Sequence, residues 1–377
     1  MKNIVGLSYG NPYSARTYSA VPYCLFNQLD STGKLLTRID SINFRLIDLL
    51  SNRILLLKSL KERRRFHNPF WRYYQSNIES LTARINKRVE NLPKKHTTIA
   101  FGVSAIPKTE NNFLIAHVEI SVKAATELKE YNKTYGFQNP PKTVLSRAIA
   151  GEKYFLEKCD LIWTNSEWTA KTFEHHGILS KKFIIQAPGC NTKDPGPIER
   201  EWSCPKILFM GKDWIRKGGP QLVQAFYSLL SKHPNATLDI IGCTPKINHS
   251  KIKIHGFLNR SNKEEEKKIN KIYKSCNLFC MPSAWESTGI VYMEAMLYGL
   301  PTIMVNGQGR SKIFPDETCT KLESNSPESI LQSILTLFDS ENLAKSIGNK
   351  GRQHILKNYT WDIIAQRIAS KSPFHNT

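Results

Sequence analysis

The sequence predicts an α/β protein of two domains, each built on a mainly parallel sheet, and three observations carry that prediction. At 377 residues the chain is longer than one hydrophobic core usually serves. Cys276 to Val305 reads as a β-α-β unit. A nearly all-apolar run at Asn277 to Met281 stops at Pro282, helix formers fill Ser287 to Tyr298, Gly299 suits a left-handed cap, and a strand resumes at Thr302 after Pro301. Finally, Pro188 to Pro205 holds Gly189, Pro195, Gly196 and Pro197 with little periodicity, the composition of a linker.

Composition bounds the partners. Hydrophobic residues at 40% and charged residues at 23% describe a globular chain, but a formal net charge of +21 does not describe a neutral surface. Such an excess attracts phosphates on an anionic membrane, a nucleic acid or a diphosphate substrate, and composition does not choose among them. The eight cysteines show no C-x-x-C spacing and mostly lie in apolar runs, as buried thiols of a reducing compartment do, so no metal is expected. Ile4 to Leu7 is too short for a secretory segment, and no apolar run approaches the ~18 residues of a membrane span. The expectation is a cytoplasmic protein, or one peripheral on the inner membrane face.

In chain order, Ile4 to Tyr9 reads as a strand with Gly10 in the loop at its carboxyl end, where ligands bind in open α/β sheets. A helix over Tyr18 to Leu29 stops at Gly33. Residues 53–95 hold 12 lysines and arginines against three acids, with Phe66, Phe70, Trp71, Tyr73 and Tyr74 after the run KERRR. Three readings stay open: an amphipathic segment on an anionic bilayer, a nucleic-acid surface, or two helices docking their apolar faces on the first sheet. Thr97 to Val103, Leu114 to Val118, Asp160 to Thr164 and Phe183 to Gln186 read as further strands, with a helix over Thr143 to Lys158 and another capped by Ser166. His117 and Glu119 stand near a strand end, where His117 is either an acceptor-side or a structural histidine.

The second domain opens with KILFMGKDWIRKGG: a strand at Lys206 to Met210, a turn at Gly211, and a helix entered through Gly218-Gly219-Pro220. A helix N-terminus after a glycine turn favours anions, and Lys212 and Lys217 add positive charge there. Strands follow at Leu238 to Cys243 and Ile252 to Phe257, and helices at KEEEKKINKIY, Pro327 to Phe338, Glu341 to Tyr359 and Trp361 to Ser370. Asn306 to Arg310 is a glycine loop in which Arg310 reads as a surface arginine, with phosphate contact as the alternative. In PSAWESTGIVYMEAMLYGLP, Glu286 and Glu294 are eight positions apart with Gly289 between them. On one helix they would stand about 12 Å apart, the reach of a nucleotide sugar. The plainer reading gives Glu286 a capping box with Ser283 and leaves Glu294 solvated.

That stretch resembles the E-x7-E signature of retaining glycosyltransferases of family four, which have the GT-B fold. The likeness is specific over 160–365 and weak over 1–155. It implies two Rossmann-like domains facing across a cleft: 1–190 on the acceptor side, 191–360 binding the nucleotide sugar, and 361–377 as a helix returning to the first. It implies that Glu286 meets the donor sugar and Glu294 the ribose, with Gly289 and Ile290 between them. GKDWIRKG resembles the G-R-x4-K-G motif, with Lys212 where Arg is usual and Lys217 as the matching lysine, both facing the diphosphate. Gly211 and Gly10 would approach the donor, Gly256 and Phe257 would meet the base, and Ala20 stands where Gly is common. The implied chemistry is transfer of a hexosyl group from a UDP- or GDP-sugar to a sugar or lipid-linked acceptor, with retention, no cofactor and no metal. Glu286, Lys217 and Lys212 would be the catalytic residues. Two alternatives remain: a DNA-modifying glucosyltransferase of the same fold, and a catalytically silent membrane-associated scaffold.

Overall fold

The structure is a computed structural model that describes residues 2–42, 69–107, 111–128, 140–175 and 177–374. The chain divides into two compact units, Met1–Gly189 with Trp361–Thr377, and Cys190–Thr360.

The first unit is built on a parallel sheet of six strands: β1 (Ile4–Ser8), β2 (Leu35–Asp40), β3 (His96–Phe101), β4 (Asn112–His117), β5 (Leu161–Thr164) and β6 (Phe183–Ile185), in the order β2-β1-β3-β4-β5-β6. All of β1 and β3 is buried, as expected of parallel strands covered on both faces. Helices α1 (Val21–Ser31), α2 (Gln75–Val89), α3 (Val122–Glu127), α4 (Lys142–Lys158) and α5 (Glu167–Glu174) supply the cover. A Cβ at Gly6 would lie 2.7 Å from the Phe26 ring, so the glycine is what lets α1 pack this closely on β1.

The expected helix from Tyr18 begins only at Val21. Tyr18, Ser19 and Ala20 have φ of 44°, 54° and 66°, a left-handed turn that delays the helix. Of the basic stretch 53–95, the part through residue 68, including KERRR, lies outside the described residues. In the remainder the apolar residues are core, with Phe70, Tyr73 and Tyr74 buried beside Ile78, Leu81, Ile85 and Val89 of α2, while Lys87, Lys94 and Lys95 are exposed. No helix among the described residues is long and apolar enough to cross a membrane.

The second unit repeats the plan. Strands β7 (Lys206–Met210), β8 (Thr237–Ile241), β9 (Ile252–Gly256), β10 (Leu278–Met281), β11 (Thr302–Val305) and β12 (Thr320–Leu322) form a parallel sheet in the order β12-β11-β10-β7-β8-β9. Its helices are α6 (Gly219–Leu230), α7 (Lys263–Ser275), α8 (Ile290–Leu297), the short α9 (Arg310–Ile313), α10 (Pro327–Asp339) and α11 (Glu341–Asn358). The last helix, α12 (Trp361–Ala369), belongs to the first unit. α8 ends as its sequence requires: Gly299 is left-handed at φ 71°, and its N–H and that of Leu300 bond back to Met296 and Ala295. The Arg200 guanidinium donates to the carbonyls of Tyr273, Lys274, Cys276 and Tyr298, so one cation closes the carboxyl ends of both α7 and α8.

The helix expected over Ser287 to Tyr298 is shorter. It starts at Ile290, because Gly289 adopts φ 76° and caps it, and Glu286 therefore lies in the loop after β10. The capping box of Ser283 and Glu286 and the helical 12 Å spacing from Glu286 to Glu294 are both displaced by this cap.

Candidate active site

Neighbouring strands β7 and β10 pair in parallel, so the loops at their carboxyl ends lie side by side. The β7 loop runs from Gly211 into α6. Gly218, at φ 76°, caps that helix, and a Cβ there would sit 2.2 Å from the Pro282 carbonyl oxygen. Only glycine permits both the left-handed turn and this approach to the β10 loop. The contact is reinforced by the Ala284 N–H, which donates to the Arg216 carbonyl at 2.9 Å.

Lys217 and Glu286 meet here. Lys217 Nζ lies 2.5 Å from Glu286 Oε1, and Arg216 Nη1 lies 3.0 Å from the same oxygen while donating also to the Trp285 carbonyl at 2.6 Å. Asp213 braces Arg216 through Nε at 3.2 Å, and Ser283 Oγ donates to Glu286 Oε1 at 3.3 Å. Among the described residues these bonds to Glu286 all fall on Oε1, and Oε2 carries none. Burial would push the carboxyl up, but Lys217 and Arg216 overcome it and hold it at about 2. It is a fixed anion with one edge committed.

Glu294 belongs to a second cluster on the same unit. Its Oε2 accepts from Arg260 Nη2 at 2.7 Å and from the Tyr273 hydroxyl at 3.1 Å. It is 4% exposed, so it is not the solvated helix residue of the plainer reading. Tyr273 is stacked on Tyr298 with ring centroids 4.6 Å apart.

Lys212 does not join either carboxylate. It is exposed, with Nζ 4.8 Å from the centre of the Phe257 ring, which is itself 47% exposed. Gly256, at φ 67°, turns the chain before that ring and accepts from the Gly242 N–H at 2.8 Å. Gly211 lies under the Lys217 stem, and Gly289 precedes Ile290 and Val291, whose amides make no bond to a backbone carbonyl among the described residues. Arg310 is corrected outright: it is fully buried, not a surface arginine, and holds the glycine loop through the Gly307 and Asn306 carbonyls and Gln308 Oε1. Arg216, Arg260 and Tyr273 went unnoticed in the sequence. Arg216 is adjacent to Lys217 within the recognised motif, which was a usable signal, whereas nothing local marks Arg260.

In the first unit, Gly10 takes φ 119° after β1. His117, at the carboxyl end of β4, is buried against Phe101 and Trp163 and bonds Asn165 at 3.0 Å. Burial lowers its pKa to about 4, so it is neutral near pH 7. Glu119 is half-buried two residues on.

Two parallel sheets of six strands each, covered by helices, give the chain an α/β architecture of the GT-B fold. Residues 198–354, within the second unit, match the model of the family described as glycosyl transferases group 1. An uncharacterized glycosyltransferase of Methanocaldococcus jannaschii is 28% identical over 176 residues, 44% of this chain and 43% of that protein. The GDP-mannose-dependent monoacylated alpha-(1-6)-phosphatidylinositol monomannoside mannosyltransferase of Corynebacterium glutamicum is 24% identical over 214 residues, 53% of this chain and 55% of its own. The chain thus spans about half the length of the curated relatives it matches. Among solved structures, Anabaena HepE in complex with UDP-glucose superposes with a TM-score of 0.64 at 13% identity, over 98% of this chain and 99% of that one. At that identity the likeness shows the fold alone.

Proposed function

We propose that the protein is a retaining hexosyltransferase that moves a sugar from a nucleoside diphosphate to an acceptor hydroxyl in glycolipid or polysaccharide synthesis. The observation that carries this reading is the Lys217–Glu286 pair, joined at 2.5 Å across two adjacent strand ends of the family-matched unit. Two relatives support the donor class: one is named for GDP-mannose and one was solved with UDP-glucose. Their bases differ, so the base is left open.

The residues divide the work. A lysine ammonium has three donors, and the two that Glu286 does not use are free to meet diphosphate oxygens as charge gathers on the leaving group. The first-turn amides of Ile290 and Val291, with the dipole of α8 behind them, favour the same anion. Glu286, fixed through Oε1, offers Oε2 to hydroxyls of the sugar and so aims its anomeric carbon. The bond from that carbon to the phosphate oxygen breaks as the bond to the acceptor oxygen forms on the same face. The acceptor proton passes to the departing phosphate oxygen, and no separate base is required. Glu294 takes the ribose, and Phe257 with Lys212 over it lies on the side of the base.

The test is release of nucleoside diphosphate from UDP- and GDP-hexoses, with and without a simple glycoside acceptor, by wild type, Lys217→Met and Glu286→Gln. The wild type is expected to turn over at least one donor. Each variant should fall at least ~100-fold, the scale of losing one preorganised electrostatic donor. Near-normal turnover by folded Lys217→Met rejects the mechanism.

A further inference from the structure

Glu294 is held by partners that no motif marks. Arg260 Nη2 at 2.7 Å and the Tyr273 hydroxyl at 3.1 Å both fall on Oε2. No bond reaches Oε1 among the described residues, and Oε1 is not a buried atom lacking a partner, so it is the edge through which the side chain keeps its 5% exposure. The two holders are themselves fixed. The Arg260 guanidinium lies 5.9 Å from the centre of the Tyr273 ring, and that ring stacks on Tyr298, whose hydroxyl donates to Asn270 Oδ1 at 2.8 Å. Arg260 also stands three residues beyond Phe257 on the loop after β9, so one loop carries both the exposed ring and the cation behind the carboxylate.

A carboxylate bound on one oxygen by a guanidinium and a phenol cannot rotate freely, and the other oxygen keeps a fixed direction. We propose that Arg260 and Tyr273 are positioning residues that lock Glu294 by one edge, so that its free edge is aimed at the vicinal hydroxyls of a nucleoside ribose. This rests on the nucleotide-sugar reading given above. Arg260 acts through Glu294 and does not itself touch the reacting atoms. Its removal should therefore affect binding of a ligand that has those hydroxyls and spare one that lacks them.

The experiment is calorimetric titration of the full chain with UDP, GDP and their 2′,3′-dideoxy counterparts, comparing wild type, Arg260→Met, Arg260→Lys and Tyr273→Phe. Wild type is expected to prefer the ribo form of its cognate base by on the order of ten-fold or more, the worth of hydrogen bonds to a charged group. Arg260→Met should reduce that preference to about two-fold while binding the dideoxy form as wild type does. Arg260→Lys should restore part of the preference, and Tyr273→Phe, which removes one bond and keeps the ring, should lose part of it. Since Arg260→Met leaves a buried carboxylate with fewer partners, Tyr273→Phe keeps the inference testable if that variant does not fold.

A ribo preference unchanged in both Arg260→Met and Tyr273→Phe overturns the inference and leaves the donor reading standing. Equal loss of both nucleotide forms shows a merely structural role, and tighter binding shows Arg260 to be a competitor for the carboxylate; either overturns it. Wild type that binds none of the four, or binds ribo and dideoxy forms alike, overturns it together with the assignment of Glu294 to ribose.

Discussion

Gly211 and Lys217 share one space. A Cβ on Gly211 would lie 2.3 Å from Cδ of Lys217, whose stem crosses the turn on its way to Glu286. The absent side chain is therefore what sets the direction of the ammonium. Gly211→Ala should push the stem aside, weaken the contact with Glu286 and cut kcat/KM at least ~10-fold, at a cost of about 1–3 kcal/mol in stability. Steady-state kinetics beside a urea melt would show it, and unchanged kinetics would mean the stem has another path.

Arg216 should be the residue whose loss harms both fold and activity. It bonds Asp213, the Trp285 carbonyl and Glu286 Oε1 while 5% exposed. Removing one partner of a buried ion pair costs about 3–5 kcal/mol, so Arg216→Met should lower the melting temperature of the second unit sharply. Arg216→Lys keeps the charge but cannot span three acceptors, and should recover only part of the loss. Calorimetry on the three proteins distinguishes these outcomes.

Stability should fall on the acid side through Glu286. Burial opposes its ionisation, yet Lys217 and Arg216 hold the folded-state pKa at about 2, below its ordinary 4.5. A depressed carboxylate contributes stability that is present above the unfolded pKa and is lost as pH drops towards the folded one. The window is therefore about pH 4.5 down to 2, and the contribution is about 3 kcal/mol at most. Denaturant midpoints of wild type and Glu286→Gln should differ near pH 6 and converge near pH 2. A constant gap would show that the carboxylate does not titrate in that window.

Ala20 should be improvable. It caps α1 at φ 66°, a conformation an alanine adopts only against its Cβ, following Tyr18 and Ser19 in the same region. Ala20→Gly removes that strain and adds some freedom to the unfolded chain, and the balance should stabilise the first unit by about 1 kcal/mol. Thermal melts would register a rise of about 2 °C; a fall would mean that Cβ makes contacts worth more than the strain.

The sequence was most legible where chain punctuation acts locally. Lys206–Met210 and Thr302–Val305 appear in the structure with the expected limits, since Pro205, Gly211 and Pro301 bound them. It was least legible where a partner arrives from far along the chain. Arg216 and Glu286 are 70 residues apart, and Arg260 and Glu294 are 34, so no period or neighbour signals either pair. Arg310 looked like a surface residue because a charged side chain after two glycines usually is one, yet three local acceptors draw it fully inside. The start of α8 was misplaced because Ser287 and Thr288 tolerate a helix, and only the left-handed Gly289 forbids it.

The four carbonyls gathered by Arg200 give the second unit a property that neither carboxylate cluster has alone. α7 carries Tyr273 and α8 carries Glu294, and one guanidinium from the strand-entering segment ties the far ends of both. The two helices are thus hinged on a single pin, and slack at position 200 would be felt directly at Tyr273, whose carbonyl it holds, and through that ring at the acid beside it.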